Sequence, residues 1–198
     1  MNPSIQQLLD NNQHWASERE TREPGIFKAQ AKGQSPEFLW IGCADSRIPP
    51  NTITGLEPGE LFVHRNVANL VTPNDPNLLS VLHYSVLALK VKHVILCGHY
   101  GCGGIQHAIN GKPFGVVDGW VEPVRELLNE NSQTLTPLPD EAQFERLCEL
   151  NVVRQVENLL QTTTIQQAWE AGQSLTIHAW IYELETGKIK VLQDPVTA

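Results

Sequence analysis

His99 and Cys102 lie three residues apart in His99-Tyr100-Gly101-Cys102 and offer an imidazole and a thiolate within one turn. Cys43, directly after an apolar run, offers a third ligand from elsewhere in the chain. Three protein ligands leave one coordination position open, which is the pattern of a catalytic zinc rather than a structural one. Asp45 and Arg47 follow Cys43 by two and four residues. The carboxylate can compete for the open position, and the guanidinium can control that competition. The separation of Cys43 and Cys102 is far outside zinc-finger spacing, so their pairing rests on the whole set and not on a spacing rule. Cys97 remains an alternative, because in an extended strand it shares a side with His99. Taken singly, a cysteine suits a small buried apolar position, Cys97 and Cys148 above all. His14, His64, His83, His93, His107 and His178 are scattered singly and suit packing or surface positions.

The segments around these residues must bring them together. Phe38-Leu39-Trp40-Ile41-Gly42 is a continuous apolar run of the kind found in buried parallel strands, and it ends at Cys43. His93–Cys97 is a similar run that stops just short of His99, and Leu61–Asn66 is a further strand after the turn at Gly55 and Pro58-Gly59. Ligands at the carboxyl ends of two parallel strands match the place where open α/β sheets put their sites. Pro76 to Lys90 reads as a helix with Pro at its start and Leu79, Leu82, Val86 and Leu89 facing inward. Gly101, Gly103 and Gly104 let the backbone approach a bound group and open a helix over Ile105 to Asn110.

Further helices are expected over Val116 to Glu130, Glu141 to Gln161 and Ile165 to Ala171, the first two separated by the Pro137/Pro139 loop. Leu175–Tyr182 and Lys188–Leu192, joined by Glu-Thr-Gly, read as a strand pair closing the sheet. Residues 3–32 have helical spacing broken at Pro24-Gly25, with Ile5, Leu8, Leu9 and Trp15 on one side. Such an arm has little core of its own, so it is expected to pack on a partner subunit. The expected fold is α/β: a central, mostly parallel β-sheet flanked by helices, one domain over residues 1–198 with an N-terminal helical arm over 1–34.

Composition narrows the function. The chain has 198 residues, 41% hydrophobic and 18% charged, so it can build one substantial core. No apolar run approaches the roughly 18 residues of a membrane span. A net charge of −8 argues against a general nucleic-acid binder and leaves a small molecule as the expected partner. The first residues show neither a basic segment nor an apolar signal core, and four cysteines are too few for a disulfide framework. A cytoplasmic protein is expected.

Cys43-x-Asp45-Ser46-Arg47, His64-Arg65-Asn66-Val67-Ala68 and Gly98-His99-x-x-Cys102-Gly103 together resemble the β-class carbonic anhydrases, and the likeness runs from the arm through Leu147–Val152 to the last strand. The resemblance implies reversible hydration of carbon dioxide to bicarbonate, with zinc held by Cys43, His99 and Cys102 and with Asp45 and Arg47 as a dyad. It implies a substrate pocket lined by Gln34, Phe62, Val67, Tyr84 and Gly103, with Gln34 reaching the site of a partner subunit. It also implies a homodimer, or a tetramer built from dimers. A subset of the family has a closed state in which the aspartate itself ligates zinc, associated with a bicarbonate-binding Trp, Arg and Tyr. Trp40, Arg65 and Tyr182 stand at the matching positions. The family usually continues past the last strand with more helix, whereas this sequence stops at Ala198, which bears on the oligomer and not on the site. Hydrolysis of carbonyl sulfide or carbon disulfide, and a zinc assembly protein without catalysis, are the alternatives. The Asp45–Arg47 pair argues against the second, because a structural zinc has no use for it.

Overall fold

The computed structural model describes residues 4–198, so residues 1–3 of the expected arm lie outside the described residues. The chain divides into two compact units, one ending at Gln34 and the other comprising Ser35–Ala198.

The first unit holds α1 (Ile5–Arg22) and α2 (Ile26–Gln30). Ser4 caps α1, its Oγ accepting the Gln7 amide at 3.1 Å, and Gly25 separates the helices with φ 86°, a left-handed backbone that favours glycine. Trp15 meets Phe27 edge-on at 5.6 Å. The apolar side read from the sequence stays exposed at Ile5, Leu8, Leu9 and Trp15.

The second unit is built on five strands in the order β2-β1-β3-β4-β5. These are β1 (Phe38–Cys43), β2 (Leu61–Asn66), β3 (His93–His99), β4 (Thr176–Glu183) and β5 (Lys188–Val191). The first four are parallel, and β5 returns antiparallel on β4. Successive residues of β1 belong to different clusters, as strand alternation requires. Leu39 and Ile41 enter a core with Val94, Leu96 and Val152, whereas Trp40 packs with Ile95 and Cys97. From β1 the chain runs out to β2 and then crosses to β3 on the other side of β1. The carboxyl ends of β1 and β3 therefore flank a topological switch point, where sheets of this kind leave a crevice.

Helices α3 (Pro50–Thr54), α4 (Pro76–His83), α5 (Gly103–Asn110), α6 (Val116–Trp120), α7 (Glu122–Glu130), α8 (Ser132–Leu135), α9 (Asp140–Leu160) and α10 (Thr163–Glu170) complete the unit. Asp75 caps α4 and Pro76 opens it. The expected helix to Lys90 continues as a π-turn over Tyr84–Ala88 and stops at Lys90, where φ is 59°. The expected single helix from Val116 to Glu130 is two helices, because Pro123 starts a new one after Val121. The buried face of α9 carries Leu147, Cys148, Val152, Val156 and Leu159, together with the amides of Asn151 and Gln155.

Candidate metal centre

Strand β1 delivers Cys43 at its end, β3 delivers His99, and Cys102 is the residue before α5. All three are buried, and their ligand atoms lie within 4.8 Å of one another. The two sulfurs are 3.9 Å apart. A tetrahedral zinc with sulfur bonds near 2.3 Å requires a sulfur–sulfur edge of about 3.8 Å, so the spacing fits. His99 Nδ1 is 2.8 Å from the Tyr100 carbonyl oxygen. It can bond a carbonyl only as a donor, which leaves the lone pair on Nε2. That Nε2 is buried and has no hydrogen-bond partner among the described residues. A buried acceptor facing two sulfurs is costly unless a cation fills the space between them. Between the sulfurs themselves the hydrogen bond from Cys102 holds the Cys43 thiol far down, to about 4, and drives Cys102 up. Two thiolates this close need a dication to coexist. The donor set therefore fits zinc.

Beside the ligands, Asp45 Oδ2 lies 3.8 Å from His99 Nε2. Its carboxylate accepts from Arg47 Nη2 at 2.7 Å and Nε at 2.9 Å, and from the Arg47 backbone N–H at 2.9 Å. The Arg47 side chain, more than the other bonds, holds Asp45 far below the usual carboxylate range, so it is ionised at any working pH.

Cys97 does share a side with His99, as alternation requires, but it is buried with Trp40 and Ile95, and burial drives its thiol up. Cys148 is buried as well, its thiol pushed up to about 12 by burial. The sequence left Cys97 and Cys102 open as ligands, and only the tertiary packing separates them.

Of the remaining candidates, Val67 packs over Gly104, where an added Cβ would stand 2.7 Å from Val67 Cγ1. A Cβ at Gly103 would meet open space. Phe62 and Tyr84 pair with ring centroids 5.9 Å apart; Phe62 packs on the core of Leu39 and Val94, a different cluster from that of Cys43 and Cys102. Gln34 closes the first unit. Trp40 is fully buried, yet its Nε1 also lacks a partner among the described residues. Gly42 has no Cβ, and one built there would lie 2.3 Å from that nitrogen. Arg65, the register partner of Gly42, donates through Nε to the Cys43 carbonyl at 2.8 Å and through Nη2 to the Asp45 carbonyl. Tyr182 stands opposite His99 on β4 and packs at the edge of the Trp40 cluster.

Sequence reading missed the amides that hold the segment after β2. Asn151 donates to the Ala68 carbonyl at 3.0 Å, Gln155 accepts the Val71 amide at 2.8 Å, and Asn158 donates to the Val71 carbonyl at 2.9 Å. Two buried amides four residues apart on an otherwise apolar helix face were the available signal.

Residues 38–189 match the family model for carbonic anhydrase. A carbonic anhydrase of Emericella nidulans is 39% identical over 186 residues, spanning 93% of this chain and 82% of that one. Among solved structures, the Coccomyxa β-carbonic anhydrase in complex with acetazolamide superimposes with a TM-score of 0.95 at 39% identity, covering 100% of this chain and 90% of that one. A structure from a study of two tetrameric β-carbonic anhydrases of Sordaria macrospora gives a TM-score of 0.91 at 39% identity, covering 96% of each chain.

Proposed function

The chain belongs to the β-class carbonic anhydrase family, and we propose that it catalyses the reversible hydration of carbon dioxide to bicarbonate and a proton with zinc held by Cys43, His99 and Cys102. The observation that carries this is the buried His99 Nε2, without a hydrogen-bond partner among the described residues, facing two sulfurs with an ionised carboxylate 3.8 Å away. When bound, zinc supplies a Lewis acid that acidifies water and so furnishes the nucleophile. Asp45 governs access to the fourth position. With zinc bound, Asp45 held by Arg47 would leave open the position that the three ligands do not fill, and Asp45 released from Arg47 would compete for it. A competing water must lose a proton, whereas Asp45 is already ionised, so alkaline solution favours the open arrangement. Val67 and Gly103, with Phe62, Tyr84 and Gln34, form the proposed pocket for a linear apolar substrate, the Gln34 amide coming from a second copy in a dimer or a tetramer of dimers. Nothing in this reading calls on nucleic acid. No helix among the described residues is long and apolar enough to cross a membrane, and four free cysteines suit the reducing cytoplasm we propose as its location.

The same reading extends to regulation by bicarbonate at Trp40, Arg65 and Tyr182. In its support, the buried indole N–H has no hydrogen-bond partner among the described residues and lies where a Gly42 side chain would otherwise stand. Arg65 is the link: a guanidinium drawn to an anion leaves the carbonyls of Cys43 and Asp45 that it now holds. Loosening that main chain frees Asp45 to close the site, and the coupling is reciprocal, so closure strengthens bicarbonate binding.

Stopped-flow hydration by the zinc-loaded protein, at neutral and alkaline pH and over a range of bicarbonate, tests both steps. A fully zinc-loaded chain that is inactive at alkaline pH sinks the activity, and faster turnover of carbonyl sulfide or carbon disulfide reassigns the substrate. Trp40→Phe and Tyr182→Phe are expected to lose the cooperative part of bicarbonate inhibition. Unchanged inhibition in both leaves only product competition at the metal.

A further inference from the structure

The turn Val67–Asn69 between β2 and α4 is built in a conformation that Ala68 disfavours and Asn69 tolerates. Ala68 and Asn69 have φ of 64° and 49°, both in the left-handed region, and both are fully buried. Neither amide atom of Asn69 has a hydrogen-bond partner among the described residues. A backbone of this kind persists only where its surroundings over-determine it, and here they do. The indole of Trp120, from α6, donates to the Val67 carbonyl at 2.8 Å, and Asn151, from α9, donates to the Ala68 carbonyl at 3.0 Å. Asn66 brackets Leu70, its side chain bonding both the Leu70 amide and carbonyl at 2.8 Å.

The clamped turn lies directly against the metal centre. Cys102 precedes α5, and Gly104, two residues on, is where a Cβ would stand 2.7 Å from Val67 Cγ1 and 3.1 Å from Ala68 Cβ. Val67 remains 38% exposed at that edge. A turn serving only as a connection has no need to point an apolar side chain at solvent from a strained backbone fixed by two separate helices.

We propose that Trp120 and Asn151 are positioning residues for the hydration reaction. Acting through the Val67 and Ala68 carbonyls, they hold the strained turn so that Val67 stands as a fixed apolar wall beside Cys102 and Gly104. The inference rests on the reading that Val67 lines the carbon dioxide pocket. Loss of either bond lets the wall move, which weakens the hold on substrate without touching the metal ligands or the Asp45–Arg47 pair.

The test is steady-state hydration by zinc-loaded Trp120→Phe and Asn151→Leu, which keep bulk but lose the donor. The KM for carbon dioxide is expected to rise about 2- to 10-fold in Trp120→Phe, the range set by losing one hydrogen bond, and by at least as much in Asn151→Leu, which also loses the bond that Asn151 accepts from Gln155. The kcat, zinc content and pH profile are expected to stay at wild-type values, a split that a general loss of structure does not produce. Amide hydrogen exchange over 66–71 is expected to quicken in the same variants. If Asn151→Leu does not fold, the half-buried Trp120→Phe decides alone. A wild-type KM in Trp120→Phe, or a fall in kcat at constant KM, overturns the inference and leaves the catalytic reading standing. A zinc-loaded wild-type chain that does not hydrate carbon dioxide overturns both.

Discussion

Gly98→Ala places a methyl where β3 has no room, one residue before the ligand His99. The added Cβ stands 2.5 Å from Val152 Cγ2, whereas carbon atoms in contact settle near about 3.5–4.0 Å, so the overlap is about 1 Å. Val152 is 0% exposed on the buried face of α9 and cannot swing outward. Overpacking of this size costs about 1–3 kcal/mol, partly offset by about 0.5–1 kcal/mol for removing a glycine from a strand. The net loss, up to about 2.5 kcal/mol, corresponds to a fall in Tm of up to about 10 °C for a chain of this length. The strain falls between β3 and α9, so zinc affinity is also expected to drop as His99 shifts. Val152→Ala removes the opposing methyls and is expected to cost about 1–3 kcal/mol alone. In its background Gly98→Ala should become neutral or favourable, a coupling of about 1 kcal/mol or more. Urea denaturation at saturating zinc, with chelator competition for affinity, measures all four corners of the cycle. Additive costs across the cycle would refute the packing argument.

Metal analysis is expected to find one zinc per chain, sharply reduced in Cys43→Ala and Cys102→Ala and retained in Cys97→Ala; loss in Cys97→Ala with retention in Cys102→Ala reverses the ligand assignment. The hydration rate is expected to rise from neutral to alkaline pH, and Arg47→Ala, which frees Asp45 from its clamp, is expected to move that rise to higher pH; a flat wild-type profile rules the competition out. Glu149, though raised by partial burial, is brought down to about 2 by Lys190, Tyr100 and Arg146. A depressed carboxylate adds stability above its unfolded pKa and loses it as pH falls towards the folded value, so Glu149→Gln is expected to cost about 1–2 kcal/mol at neutral pH. That difference should vanish between about pH 4.3 and 2 in denaturation curves.

Much of the sheet was legible because parallel strands buried on both faces read as continuous apolar runs, and Leu61–Asn66 matches its strand residue for residue. Strand β3 runs two residues further than its apolar run, since Gly98 and His99 pair with Ile181 and Tyr182 without being apolar. The metal ligands were legible as a set but not one by one. Alternation correctly puts Cys97 on the side of His99, and only the packing of Trp40 and Ile95 onto it removes it as a candidate. The strained turn was illegible for a different reason. Val67-Ala68-Asn69 contains no glycine to announce a left-handed backbone, and the Asn151 that stabilises it lies 83 residues away.

Alternation along β1 also explains why one six-residue strand serves two proposed sites. Cys43 faces the cluster of Cys102, Ala68 and Leu70, while Trp40 faces that of Ile95 and Cys97 on the opposite side of the sheet. Cys43 and Trp40 have no direct contact across the sheet, so a group that touches the main chain beside both can couple them. Arg65 meets that requirement: it is the register partner of Gly42 beside the Trp40 indole, and it holds the carbonyls of Cys43 and Asp45. An anion that captures the guanidinium must compete with those two bonds. In the proposed regulation, bicarbonate binding and the loosening of Asp45 are therefore one event, and no longer path through the core is required.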